Sequence, residues 1–354
     1  MRPDVARLGH RRHRIATDGV SAILLAAIAG GCAASVQPAT MTPAPTATAA
    51  PMPTATAGPT SIPATAIAVD HPTELAVDGS TIWAISGPGL ARIDTATNVV
   101  TPVSLGSGDE LDDLAATPTA VWVADFDGER VLRLDPANGK ALGSTAVGTA
   151  SNVLPVDGTI WVTNHHEGSV TRIDARTGKA IGTVIIGQAG TNGPQQMARG
   201  AGSVWVGEGN TGEVIRLDPS TGKVAARITI PSDFDPCGGI AATDTAVWIT
   251  GCHASPDVVH IDPATNAVVA DIVLGGYGAD PIVIGGKVWV PVGGAGFFHG
   301  LVRIDPATNR IDRRLPLAAL ADVGGSTVAG GELWIANAAD AVLHLPLSEL
   351  ASGS

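Results

Sequence analysis

The side chains of this 354-residue chain that could do chemistry are nine histidines, three cysteines and an excess of carboxylates. His165 and His166 follow Trp161, His253 follows Trp248, and His299 follows Trp289. Three positions after other tryptophans stand Asp125, Asn164, Glu208 and Asn337. An imidazole beside a carboxylate can take and return a proton near neutral pH, and converging oxygen donors can hold a divalent cation such as Mg or Ca. Further acids, Asp109, Glu110, Asp112, Asp113, Asp233, Asp235 and Asp280, lie in the polar stretches between tryptophans. There is no Gly-x-Ser-x-Gly, no His-Glu-x-x-His and no phosphate-binding Walker loop.

The tryptophans themselves set the frame. All seven, Trp83, Trp122, Trp161, Trp205, Trp248, Trp289 and Trp334, are separated by 39 to 45 residues. Gly and Pro together are frequent (44 and 25), and charged residues are only 15% of the chain. Long surface helices fit this composition poorly, whereas a turn-rich all-β chain fits it well. A period of this size in such a chain predicts propeller blades. Each unit runs in one order: an apolar stretch, a Gly or Asp turn, the Trp strand, a polar loop, an Arg-Ile-Asp-like strand, a tight turn and an alternating strand. Asp94, Asp135, Asp174, Asp218, Asp262 and Asp305 open the second turn in six units, so they are turn-makers rather than catalysts. His260 and His344 occupy the slot filled elsewhere by Arg133, Arg216 or Arg303, which makes them structural.

The seventh unit ends one strand early, after Ala341–Leu345. Thr65–Val69, upstream of the first unit and beside His71, has the character of the missing strand. The expectation is therefore an all-β, seven-bladed β-propeller over residues 65–350, closed by an N-terminal strand that completes the last blade. The loops after the Trp strands and between blades share one rim. There Asp125, Asn164, His165, His166, Glu208, His253, His299 and Asn337, joined by Asp109, Glu110, Asp112, Asp113, Asp233, Asp235 and Asp280 from the blade-to-blade loops, would surround a central opening able to take a small ligand, peptide, glycan, protein or divalent cation. A solvated acidic rim without a ligand is the plainer alternative.

Cys237 and Cys252 flank a predicted hairpin with its turn at Asp244-Thr245, which sets them opposite one another within disulfide reach. A disulfide suits an exported chain, with a metal site or reactive thiols as the alternative.

The repeat resembles the YVTN-type propellers and the streptogramin lyases over about residues 65–350. The residues that carry the likeness are Val131-Leu132-Arg133-Leu134-Asp135-Pro136-Ala137-Asn138-Gly139-Lys140 and Ile261-Asp262-Pro263-Ala264-Thr265-Asn266-Ala267-Val268-Val269. These residues build blades. The resemblance to streptogramin lyases implies a C–O elimination assisted by magnesium and a His, for which His166, His253 and Glu208 are the candidates. Lyase repeats carry Trp-Phe-Thr-Glu, and here only Glu208 keeps the Glu; the other units have Ser86, Asp125, Asn164, Gly251, Val292 and Asn337.

The N-terminus reads as an address. Five Arg precede the apolar run Val20–Ile28 and the small residues Ala29-Gly30-Gly31 before Cys32. That order predicts a signal peptide over 1–31. The junction resembles the lipobox of bacterial lipoproteins, which implies acylation at Cys32 and a cell-membrane lipoprotein on the extracytoplasmic face; an ordinary cleaved signal is the alternative. Arg11-Arg12 leaves the export route, Sec or twin-arginine, open. Residues 32–64 are rich in Ala, Pro and Thr and predict an extended, disordered tether that Thr and Pro would also permit to be O-glycosylated. A formal charge of −12 argues against nucleic acid as a partner and leaves the lipid as the only membrane contact. A monomer is expected. A Cys32→Ser variant should fail to incorporate labelled fatty acid and should leave the membrane fraction; unchanged fractionation would refute the anchor.

Overall fold

The structure, a computed structural model, describes residues 61–106, 110–231, 234–252, 257–294 and 296–351. Cys32, the signal peptide, most of the tether, Asp109, Asp233 and His253 lie outside the described residues. The described residues form seven antiparallel sheets, each built from consecutive strands except the last. Blade one runs Pro72–Asp78, Thr81–Ser86, Gly89–Asp94 and Val100–Val103 from inside outwards. Blade six departs from the pattern, because its inner strand is split into Tyr277–Gly278 and Ile282–Ile284.

The last sheet closes the ring. Val323–Ala329, Glu332–Asn337 and Ala341–Pro346 are joined on the outside by Thr65–Ala68, which pairs antiparallel with the final strand from Thr65 opposite His344 to Ala68 opposite Ala341. Ile67 and Val69 are buried against Trp334 and Val342, so apolar burial as well as pairing draws the strand in. Packing reaches back to Ile62, whose N–H donates to Pro316 and whose side chain enters the core of blades six and seven.

Every tryptophan is buried, and each lies opposite an Arg or His on the third strand of its blade. Arg92, Arg133, Arg172, Arg216 and Arg303 place their guanidinium carbons 4.9–5.6 Å from the ring centroids. His260 and His344 lie flat on Trp248 and Trp334 at 4.0 and 4.3 Å. Such contacts contribute about 1 kcal/mol each.

The same side chains reach the turn of the following blade. Arg92 donates to the Ala137 carbonyl, Arg133 to that of Arg176, and Arg216 to Pro263 and to the Asn266 side chain. Arg172 packs on Gly222, where an added Cβ would meet its guanidinium carbon at 2.5 Å. His260 Nδ1 lies 2.7 Å from Asn309 Oδ1, and His344 Nε2 lies 3.4 Å from the Asn98 amide of blade one. Blade seven has no such turn; its place is taken by the short helix Leu347–Ala351, where Arg313 of blade six donates to the Leu350 carbonyl.

Those turns are built as their residues require. Asp94 and its counterparts accept hydrogen bonds from the following backbone and hydroxyl groups. The Thr97 hydroxyl on Asp94, the Thr177 N–H on Asp174, the Ser220 hydroxyl on Asp218 and the Ala264 N–H on Asp262 hold these carboxyls below their ordinary range. Four residues on, the left-handed position is Gly (Gly139, Gly178, Gly222) or Asn (Asn98, Asn266, Asn309). Removing Thr65–Val69 strips two buried aliphatic side chains from the closing blade and should lower the melting temperature by about 10 °C or more. Removing Ser35–Thr60 should leave it unchanged, and equal effects of the two deletions would contradict closure by this strand.

Candidate functional site

The rim is built from the loops that follow the Trp strands and from the blade-to-blade connections. Asp125, Asn164, Glu208 and Asn337 end their Trp strands there, and all four are buried. Asp125 and Glu208 fasten the turn after their strand, Asn164 bonds the next strand, and Asn337 fastens the connection that enters its blade. Asp125 accepts the Gly128 N–H and pairs with Arg130 at 2.6 Å. Asn164 donates to Ser169 and Thr171. Glu208 Oε2 accepts from the N–H and hydroxyl of Thr211. Asn337 accepts from Ala321 and Asp322 and donates to Ala319. At Asp125 and Glu208 the position three beyond the Trp points into the turn, where it accepts the N–H of Gly128 or Thr211, while Glu208 Oε1 and Asn164 Oδ1 are buried without a hydrogen-bond partner among the described residues.

The histidines divide. His299 engages both ring nitrogens, with the carbonyls of Leu320 and Gly294 each at 2.8 Å. His165 is buried and its Nε2 lies 3.1 Å from the Thr191 carbonyl, while its Nδ1 has no hydrogen-bond partner among the described residues. His166 is exposed. Its ring stands 5.3 Å from that of His165 and 5.4 Å edge-on from Phe126 of blade two, making a three-ring cluster at one place on the rim. Phe126 escaped the sequence reading because an aromatic residue in a turn carries no periodic signal.

A network beside that cluster ties three blades together. Gly190 N–H donates to the His166 carbonyl, Asn210 bonds Gln188 and Asn192, and the Asn192 amide donates to both oxygens of Asp235. The backbone carbonyl of Asp235 accepts from the N–H groups of Cys237 and Cys252, which are joined as a disulfide with Cα atoms 5.6 Å apart. The hairpin between them pairs Ile240 with Ile249 and Ala241 with Trp248, the register expected from the sequence.

Inside the ring runs a belt that takes in Asp113 and Asp280, which were expected on the rim loops; Asp113 is instead a buried residue of an inner strand and Asp280 packs on Gly239. The residue nine before each Trp is Glu74, Asp113, Asn152, Gln196, Gly239, Asp280 or Gly325. Five of these sit at or beside a register shift of the innermost strand. Asn152 links three blades: its amide donates to Asp113 Oδ2 at 2.6 Å and to Gln196 at 2.8 Å, and its oxygen accepts the Met197 N–H. The two glycines make room for carboxylates, since an added Cβ would lie 2.0 Å from Asp280 at Gly239 and 2.0 Å from Glu74 at Gly325.

Among the described residues, donors of metal-binding type gather in threes at two places. These are Asp235 with the disulfide cysteines, and the exposed group Asp70, His71 and Asp340. The belt carboxylates Glu74, Asp113 and Asp280 do not converge in this way.

No protein-family model matches the chain, and no match was found among curated proteins. Solved structures share its fold. Virginiamycin B lyase from Staphylococcus aureus superposes with a TM-score of 0.68 at 17% identity, over 80% of this chain and 99% of that one. BamB from Moraxella catarrhalis gives 0.59 at 18% identity, over 78% and 85%. A chain of the mitotic checkpoint complex gives 0.68 at 12% identity, over 85% and 98%. At these identities the likeness establishes a β-propeller scaffold and nothing finer.

Burial pushes the Asp113 carboxyl up to about 8, with Asp280 and Asp112 adding repulsion and the N–H groups of Val153 and Leu114 opposing. A folded pKa above the unfolded one means that this group's contribution is fully present below about pH 4 and is lost as pH rises through about 8. The turn aspartates are ionised throughout the upper part of that window and add no slope there. Asp113→Asn keeps an acceptor for Asn152 and should raise the melting temperature near pH 8 relative to wild type, with a progressively smaller effect as pH falls toward 4. Parallel melting curves for the two proteins across that range would disprove the assignment.

Proposed function

We propose that this propeller is a binding and scaffold module, held outside the cell membrane by a lipid on Cys32, and that it engages a ligand or partner protein at its loop rim. One observation carries the reading. The groups best suited to acid-base chemistry or cation binding there, Asp125, Asn164, Glu208 and Asn337, are buried, and each is tied by at least one polar atom to an adjoining loop or strand. What remains open is a rigid surface with His166 and Phe126 beside it, braced by the Asn192–Asn210–Asp235 network. Affinity on such a surface comes from aromatic anchors on fixed loops rather than from a reacting group.

The second reading, a lyase, is favoured by the shared fold with virginiamycin B lyase, of which an inactive variant has been solved with quinupristin. Elimination needs a base and a cation at one substrate carbon. In this chain Glu208 is fully buried, and its Oε2 accepts from Thr211. Purified protein with added magnesium should therefore leave quinupristin cyclic when followed by chromatography. Linearisation that is lost in Glu208→Gln, His166→Ala or His253→Ala would replace the binding reading with the enzymatic one.

A further inference from the structure

The seventh blade is the one whose strands are not consecutive, since it borrows Thr65–Ala68 from the far end of the chain. Three metal-ligating side chains meet at the rim end of that seam. Asp70 and His71 lie on the segment that carries the chain from the closing strand into blade one, and Asp340 ends the turn that leads into the final strand. One oxygen of each carboxylate lies 2.9 Å from His71 Nδ1, and the three donor atoms fall within 4.8 Å of one another. The backbone sets them there. His71 N–H donates to Asp340 Oδ1 at 3.1 Å, Val69 N–H donates to the Asp340 carbonyl, and the Ser86 hydroxyl of blade one donates to the Asp70 carbonyl. Residues 269 positions apart are thus held against one another.

The arrangement asks for a cation. An imidazole carries at most one proton on Nδ1, so a proton there can serve only one of the two carboxylates fully. Among the described residues neither Asp70 nor Asp340 is ion-paired with a Lys or Arg, so two negative charges face one ring that carries at most one positive charge. A divalent ion accepts all three donors at once and cancels both charges. The spacing suits it, because two donors at right angles on a metal with bonds of about 2.1 Å lie about 3.0 Å apart. The imidazole nitrogen favours zinc-class ions over magnesium or calcium, which take oxygen donors. All three residues are exposed, so an ion reaches them and water completes its coordination.

We propose that Asp70, His71 and Asp340 bind a zinc-class divalent ion that staples the closing strand to the last blade. The ion clips together the two ends of a loop that spans the propeller, and a clip across so long a loop removes much freedom from the open chain. Because the three ligands come together only in the closed ring, binding favours the closed seam by mass action. The seam has reason to need it: its outer strand has four residues, whereas those of blades two to six have six or seven. The other gathering of donors, at Asp235, is no rival, since its two sulfurs are bonded to each other and offer no thiolate. The proposal is independent of what the rim cluster binds.

The test uses purified full-length protein stripped of metal with EDTA and returned to zinc, magnesium or calcium at neutral pH. Zinc at about a hundredfold excess over its dissociation constant should raise the melting temperature by about 5 °C, while magnesium and calcium leave it unchanged. Zinc should also slow amide hydrogen exchange in Thr65–Ala68 by about tenfold or more, with a smaller effect on the outer strand of blade four, Val224–Thr229. His71→Asn and Asp340→Asn keep a residue that tolerates the left-handed backbone at both positions (φ 41° and 62°), so each should melt near the wild type in EDTA but lose the zinc response. Asp70→Asn, at a position without that constraint, gives the same reading if either of them folds poorly. No zinc-dependent rise up to about 1 mM, an equal response to magnesium, or exchange slowed equally in the two strands would overturn the proposal. So would a rise of the same size in the variants, which would place the ion on other histidines such as His166.

Discussion

The structure rests on one contact repeated around the ring: a buried Trp on the second strand covered by an Arg or His on the third. The ring of the Trp needs an apolar cover, and a guanidinium or imidazole plane provides one while keeping its N–H groups for a polar partner. In this chain the partner is the turn of the next blade in six of the seven units, through hydrogen bonds from Arg92, Arg133, Arg216 and His260, through one that His344 accepts from the Asn98 amide, and through packing of Arg172. A single side chain therefore joins the strands of its own blade and sets the distance to the following one. Where the turn is missing, at blade seven, Arg313 and a one-turn helix take over the role.

The rim inherits its rigidity from this arrangement. With blades held at fixed spacing, each loop needs only one buried acceptor or amide to shape it, and Asp125, Asn164, Glu208 and Asn337 supply it. A buried backbone N–H left without a partner costs roughly 1–3 kcal/mol, and Asp125 and Glu208 remove that cost for Gly128 and Thr211. The rim can then present a surface such as the Phe126, His165 and His166 cluster without ordering it on binding.

Toward the middle, the same geometry brings polar side chains of neighbouring blades into contact. Asn152 shares Asp113 with one neighbour and bonds Gln196 on the other, while glycine at two belt positions gives Asp280 and Glu74 their room. The raised Asp113 carboxyl follows from that crowding: burial and two like charges disfavour its ionised form more than its N–H donors favour it. The belt is thus a place where stability responds to pH, in contrast to the turn aspartates on the opposite hairpins, which hydrogen bonding keeps ionised.

Residue types and spacing were enough to determine the blade count, the turn-making aspartates, the closing strand and the opposition of Cys237 and Cys252. Each follows from local rules: Trp every 39 to 45 residues, Asp four residues before a left-handed Gly or Asn, and a missing outer strand at one end matched by a spare one at the other. The structural role of His260 and His344 was legible for the same reason, as substitutes in an Arg slot. What the sequence left undecided was direction and company. Only the tertiary structure decided that Glu208 faces into its turn and Asn164 bonds the next strand, that Phe126 meets His166 across a blade boundary, and that Asp70 and His71 meet Asp340 at the seam. Those contacts join residues from different repeats, and their geometry depends on the angle at which closed blades pack, which no single repeat encodes.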